Sequence, residues 1–486
     1  MKFTTRVLLA AALVMCGTGL LAAWPAPDPL RDQPWQAINP APRHLDHSPF
    51  FAEAFDDGPA VTRACLGCHP ESAPEVMATS HWTWKGDTVH SPAQDAPLQI
   101  GKANLFNNFC ISVKPNQPFC TSCHVGYGWK DDSFDFKDES KVDCLVCHDQ
   151  SGGYAKKPGG AGLPADGVDL LAAAKSVGRP NRANCGACHF DGGGGDGVKH
   201  GDLDQTLLNP PPRIDVHMGE HDLVCVDCHK TKDHKMSGRS MSVSVSDLDR
   251  ALCTDCHSTQ PHAEERLNAH TEAVACATCH IPFMAVQTPT KLSWDWSTAG
   301  QDIKGDPHHY LKKKGTFHYD SHLAPEYAWY NGLSKRHLPG DKIDPSTITD
   351  LNRPAGSIAD PTAKIWPFKV HRGKQVYDVQ NLWFLAPKTA GDGGYWTEFD
   401  WDKALRLGAE STGIAYSGEY DFAATQMYWP LAHMVQAGSD ALGCVDCHSE
   451  GGRMNWRALG YGSDPAESGG RRTLRATGTL REAGQQ

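Results

Sequence analysis

Eight copies of Cys-x-x-Cys-His constrain this chain more than any other feature of its 486 residues. They begin at Cys65, Cys120, Cys144, Cys185, Cys225, Cys253, Cys276 and Cys444, and take 16 of the 18 cysteines. The pattern is the attachment site of c-type haem: two thiols add across the porphyrin vinyl groups, and the following histidine takes one axial position on iron. A zinc ribbon pairs its Cys-x-x-Cys units and has no use for a histidine after each. A redox dithiol occurs once or twice, not eight times. Eight covalently bound haem c groups are expected. They would be held by Cys65 and Cys68, Cys120 and Cys123, Cys144 and Cys147, Cys185 and Cys188, Cys225 and Cys228, Cys253 and Cys256, Cys276 and Cys279, and Cys444 and Cys447. The proximal ligands would be His69, His124, His148, His189, His229, His257, His280 and His448.

Length alone would allow two to four domains, but porphyrins supply much of the apolar interior. The expected fold is a multihaem cytochrome c of mainly short α-helices and loops wrapped around a haem array, with a minor β-hairpin. The 47 glycines and 33 prolines suit that loop-rich picture. Seven motifs crowd into residues 24–280, residues 281–443 hold none, and residues 444–486 hold the eighth motif and a Gly- and Arg-rich tail expected to be mobile. The haem-free segment is expected to cover the array. Its stretch Ile365 to Tyr377 reads as a hairpin turning at His371-Arg372-Gly373-Lys374, with Pro367 marking an edge arm. Helices are expected from Ser246 into Cys253, over 262–275, and over 420–436 up to a break near Pro430.

Residues 1–23 read as a secretory signal: Lys2 and Arg6, an apolar run from Val7 to Leu21, and Leu21-Ala22-Ala23 before Trp24. The run is short for a membrane span, so export to a periplasm without stable membrane insertion is expected. Cleavage would remove Lys2 and Arg6 and no acid, taking the formal charge from −11 to −13. That balance argues against nucleic acid as a partner. An anionic substrate would need a local positive pocket against this field.

Seventeen histidines lie outside the motifs, His47 and His371 among them. Low-spin electron-carrying haems need a second strong ligand. His81, His200, His217, His234, His262, His270 and His433 lie within about a dozen residues of a motif and are the candidate distal ligands. This surplus implies mostly six-coordinate haems, and cannot by itself separate a wire from an enzyme. Cys110, ten residues before Cys120, is the mature cysteine outside every motif: an inert thiol, a link to another chain, or a modified sulfur. After the fourth motif comes Gly192-Gly193-Gly194-Gly195-Asp196-Gly197-Val198-Lys199-His200, whose glycines permit close backbone approach to a flat cofactor.

The chain resembles the octahaem tetrathionate reductases. The likeness rests on the number and order of motifs, on Asn107-Asn108-Phe109-Cys110-Ile111 running into Cys120-Thr121-Ser122-Cys123-His124, and on the glycine run ending in Lys199-His200. The resemblance implies that the haem of the second motif is catalytic, with Lys199 as its distal iron ligand and Asn107, Cys110 and Asp196 beside it. It also implies a small inorganic anion or nitrogen-oxide substrate, and a redox partner such as a periplasmic or quinol-linked cytochrome. The related pentahaem nitrite reductases place lysine in the motif itself, and no Cys-x-x-Cys-Lys occurs here. Two further readings stay open: a non-catalytic electron carrier, and oxidation of hydroxylamine by similar parts.

Overall fold

The computed structural model describes residues 44–90, 97–108, 112–192 and 194–480, with residues 34 and 38. The expected signal peptide and Cys110 lie outside them. The chain forms two compact units, Met1–Pro40 with Leu252–Ala269, and Ala41–Ala251 with His270–Gln486. In the first, the sixth motif opens a single 3₁₀ turn, Cys253–Asp255. His262 is held there by Asn268, which accepts from its N–H at 3.0 Å and donates to its carbonyl at 2.8 Å.

In the second unit most motifs close short helices: Leu145–His148, Arg182–His189, Cys225–Cys228, Cys276–His280 and Cys444–His448. The spacing explains the length. Cysteines at i and i+3 and a histidine at i+4 share one helical face, so a single turn presents both thiols and the imidazole together. A turn this short has nearly all its N–H groups unsatisfied. In Cys-Val-Asp-Cys the aspartate reaches back: Asp227 accepts from Val224 N at 2.8 Å and Asp446 from Gly443 N at 2.8 Å. The longest helix among the described residues, Trp401–Thr412, is capped by Asp400 and stops at Gly413 in the left-handed region, φ 73°.

The β content is larger than a hairpin. Eight strands of residues 281–443 form one sheet: β1 Thr290–Asp295, β2 Tyr310–Leu311, β3 Gly315–Asp320, β4 Glu326–Tyr330, β5 Thr349–Asp350, β6 Lys364–Asp378, β7 Trp383–Phe384 and β8 Tyr420–Pro430. The order is β5-β8-β6-β1-β3-β2, with β4 and β7 also on β6. The expected hairpin is thus a single 15-residue strand. His371 to Lys374 run straight through it, with Gly373 opposite Thr425 and Trp294. Pro367 is tolerated because it sits where the ladder changes partner, from Tyr327 on β4 to Pro430 on β8, and its carbonyl accepts from Leu431 N at 3.0 Å.

The expected helix over 420–436 is β8, an antiparallel partner of β6 whose Ala423, Thr425, Met427 and Trp429 are buried at every second position. Ser246 caps no helix; it makes a bridge to Leu333. Of the helix expected over 262–275, Glu265–His270 is helical. The tail is packed: Arg471 is buried and donates to the carbonyls of Asp360 (3.0 Å) and Ala363 (2.7 Å). One face of the sheet and the Trp401–Thr412 helix enclose an aromatic core in which Trp294 stacks on Trp296 (4.6 Å) and Tyr395 on Trp401 (3.9 Å). Among the described residues no helix is long and apolar enough to cross a membrane.

Candidate haem sites and the second motif

Five motif histidines each face a histidine from outside the motifs. Ring centres stand 6.3 Å apart for His69 and His47, 6.3 Å for His189 and His81, and 6.4 Å for His148 and His234. They stand 6.2 Å apart for His229 and His433, and 6.3 Å for His448 and His270. Two imidazoles sharing one metal need about 2.0 Å for each bond and about 1.15 Å from nitrogen to ring centre, hence about 6.3 Å between centres. The pairs therefore have the spacing a six-coordinate iron requires.

In three of the pairs outer nitrogens are anchored accordingly. Nδ1 of His148 bonds the Gly178 carbonyl at 2.9 Å, that of His229 the Ser237 carbonyl at 3.1 Å, and that of His448 the Asp464 carboxylate at 2.6 Å. On the opposite rings, Glu75 holds His234 at 2.7 Å and Asp202 holds His433 at 3.2 Å. A proton kept on Nδ1 leaves the lone pair on Nε2, the ligating tautomer.

These pairs cross the sequence. His81 follows the first motif but meets the fourth; His234 follows the fifth but meets the third; His433 precedes the eighth but meets the fifth; His270 precedes the seventh but meets the eighth. His200 lies edge-on to Trp429 at 4.9 Å, and His217 sits 3.9 Å from the Asp215 carboxylate. His47 was not among the candidates. It lies 18 residues before Cys65, too far along the chain for its sequence position to point to a haem. Attachment points also adjoin one another, with the Cys65 side chain against Cys144, Cys123 against Cys188, and Cys185 against Cys225.

The second motif differs. His124 is fully buried in a box of Trp82, Trp84, Trp129, Phe134 and Phe136, with ring centres 4.9–6.2 Å away, and no other histidine ring is among its contacts with described residues. Burial pushes its pKa down to about 3, so the ring is neutral. Its Nε2 donates to the Trp82 carbonyl at 2.7 Å, while Nδ1 is buried without a partner. Ligation through Nε2 would exchange that hydrogen bond for a bond to iron, in aromatic surroundings that fit a porphyrin. Cys120 packs on the same aromatic cluster, and a cavity of about 670 Å³ adjoins it, lined by Trp82, Trp129, Phe134 and Phe136 among others.

Strand β6 brings the remaining candidates together. Its odd-numbered residues Lys369, His371, Gly373 and Gln375 share one face. Gln375 donates to the Asn107 carbonyl at 3.2 Å, and Asn108 donates to the His371 carbonyl at 2.9 Å. Thr425 on β8 joins Asn108 (2.9 Å) to Gln375 (3.0 Å). At the other end of that face, Lys369 donates to the Lys199 carbonyl at 2.8 Å. The charge of Lys199 reaches Cys123: contact with Cys188 does most to lower that thiol, to about 5, and Lys102, Lys199 and Lys156 lower it further. Once joined to haem, that sulfur is a thioether and no longer titrates. Asp196 accepts from Gln205 N at 2.8 Å, and burial raises its pKa. Buried Lys291, Lys369 and His371 carried no sequence signal; lysines inside a sheet become conspicuous only when their burial is seen.

A local positive surface exists as well. A groove of about 1150 Å³ is lined by Lys335, Arg336, His337, Lys342 and Arg353 against Asp341 and Asp350. Burial pushes Arg336 down to about 9, still a cation at neutral pH, and it donates to the carbonyl of Phe106, next to Asn107.

The bacterial cytochrome c family matches residues 291–451. No curated protein matches the chain. Among solved structures, the octahaem cytochrome c from Shewanella oneidensis is 47% identical, covers 90% of this chain and 98% of its own, and superposes with a TM-score of 0.80. With eight attachment motifs and likeness along nearly its whole length, the chain belongs to the octahaem c-type cytochromes and carries eight covalently bound haem c groups.

Proposed function

We propose that the chain is a periplasmic reductase in which the second motif, Cys120, Cys123 and His124, holds the catalytic haem and Lys199 caps its distal side. In this reading the other seven haems carry electrons, the five histidine pairs are axial ligand pairs, and a weakly held amine marks the place where substrate reacts. The observation that carries it is the contrast at His124, whose described ring contacts are aromatic residues where five other motif histidines face a second imidazole. A neutral amine binds iron and an ammonium does not, so burial beside the haem must favour the neutral form.

The substrate assigned is tetrathionate, with nitrite or hydroxylamine, reduced to ammonium, as further substrates of the same site. Two electrons cleave the central S–S bond and release two thiosulfates. Cys110 as thiolate would attack one inner sulfur and expel the first thiosulfate; two electrons then release the second and restore the thiolate. Asn107 would donate a hydrogen bond to the anion, and Asp196, its pKa raised by burial, would relay protons. The basic groove supports an anionic substrate against the negative whole.

Electron paramagnetic resonance of the oxidised protein tests the reading. One haem should stand apart from the bis-imidazole set, and Lys199→Ala should change that signal alone while tetrathionate reduction falls by about 100-fold. Unchanged spectrum and rate in Lys199→Ala would leave a conducting cytochrome in its place.

A further inference from the structure

Lys199 sits on a loop whose backbone is gathered from beneath. Four consecutive carbonyls, those of Gly197, Val198, Lys199 and His200, all turn toward two side chains of the sheet. Lys369 Nζ donates to Val198 O at 2.9 Å, to Lys199 O at 2.8 Å and to Thr290 Oγ1 at 2.5 Å. The Thr290 hydroxyl lies 2.7 Å from both Gly197 O and His200 O, and shares its one proton between them. Thr290 therefore has no proton left for the amine, so the three contacts match the three N–H donors of an ammonium, a form these acceptors hold although burial and nearby Lys291 push the Lys369 pKa well down. Both side chains are buried, at 0% and 1% exposure, on β6 and β1.

Two glycines complete the arrangement. Gly197 turns the chain at φ 64°, where an added Cβ would meet Pro289 O at 3.0 Å. Gly192, at φ 50°, leaves room for the Lys199 stem, whose Cδ would lie 3.1 Å from a Cβ there.

We propose that Lys369 and Thr290 are positioning residues that fix Lys199 at the second haem site by clamping the carbonyls of residues 197–200. A buried ammonium could in principle only be satisfying itself. Here its acceptors are the loop that bears Lys199, and the same strand face holds Asn107 and Asn108 through Gln375 and His371. The clamp thus sets the loop and the Asn107 segment in one frame. The inference rests on Lys199 being the distal ligand, and its test separates the two.

The experiment compares the oxidised spectra of the eight-haem protein in four variants. Lys369→Met removes the three donors and keeps the stem; Thr290→Val removes the hydroxyl at constant shape; Thr290→Ser restores it; Lys199→Ala removes the amine. Lys369→Met and Thr290→Val should shift or split the distinctive haem signal, leave the bis-imidazole signals in place, and lower the tetrathionate rate about tenfold or more. Thr290→Ser should match the parent. If Lys369→Met does not accumulate with eight haems, Thr290→Val against Thr290→Ser decides. A distinctive signal that Lys199→Ala alters but Lys369→Met and Thr290→Val leave alone overturns the clamp. A signal indifferent to Lys199→Ala overturns the ligand assignment, and the clamp's role with it.

Discussion

His433 shows how a ligating imidazole is held ready. Buried Asp202 accepts from its Nδ1 at 3.2 Å and from the backbone N–H groups of Ala432 (2.6 Å) and His433 (2.9 Å), so ring and chain are fixed by one carboxylate. His47 has no comparable anchor on its far nitrogen: its Nδ1 bonds the Leu45 carbonyl two residues away, on an exposed segment. Its pairing with His69 is therefore more easily broken than that of His433 with His229. His47→Ala should turn one low-spin haem high-spin, with eight haems still counted by mass; full low-spin intensity in the variant would remove His47 from the ligand set. A second expectation concerns Asp247, which burial pushes up to about 6 despite its bond from Arg239 N at 2.7 Å. An unfolded aspartate titrates near 4. The folded chain therefore holds the proton more tightly, and its stability falls as pH rises from about 4 through about 6, then levels. Asp247→Asn mimics the protonated form and should melt higher than the parent at pH 7 and equally at pH 4. The gain is at most about 3 kcal/mol, and less because the group is partly solvated.

At the scale of elements, β6 is the piece on which the site depends. Gly373 lies at its middle with ordinary strand geometry, yet a Cβ there would meet Thr425 Oγ1 at 2.9 Å and Asn108 at 3.3 Å. Gly373→Val should cost about 1–3 kcal/mol as overpacking and push the Asn107–Asn108 segment off the strand, seen as a lower melting temperature and a changed spectrum of the second haem. A melting point within a degree of the parent would show that the segment gives way freely. The motif turns were legible because i, i+3, i+4 spacing has one structural meaning. The strand was not, because it is buried on both faces from Ile365 to His371 except at Trp366 and so lacks alternation. Its Pro367 and Gly373 then mimicked punctuation. Strand β8 deceived differently, with aromatic and small residues at both parities, so that the alternation appears in burial rather than in composition. The site was legible to the extent that Lys199, Asn107, Asp196 and Cys110 follow a resemblance. Lys369 was not, since its contact with residue 199 spans 170 positions and no local pattern announces it.

For the whole molecule, charge and haem order set how electrons come in. The attachment points that touch are those of motifs one and three, two and four, and four and five, so the array is woven across the chain and adjoins the second motif from the fourth. In the proposed reading, electrons entering elsewhere converge on the second motif while the donor stays at the surface. The chain is negative overall, at −11 before any propionate is counted, while the groove is lined by Lys335, Arg336, Lys342 and Arg353 against Asp341 and Asp350. A donor cytochrome that docks outside the groove meets a repulsive field if it is acidic and an attractive one if it is basic. Raising ionic strength from 0.01 to 0.1 M shortens the screening length from about 30 to about 10 Å. Reduction by a small basic cytochrome, followed by stopped-flow absorbance, should therefore slow by about tenfold across that range, while an acidic donor of the same potential should speed up. Rates indifferent to salt for both would place electron entry at a neutral patch and remove long-range charge from partner choice.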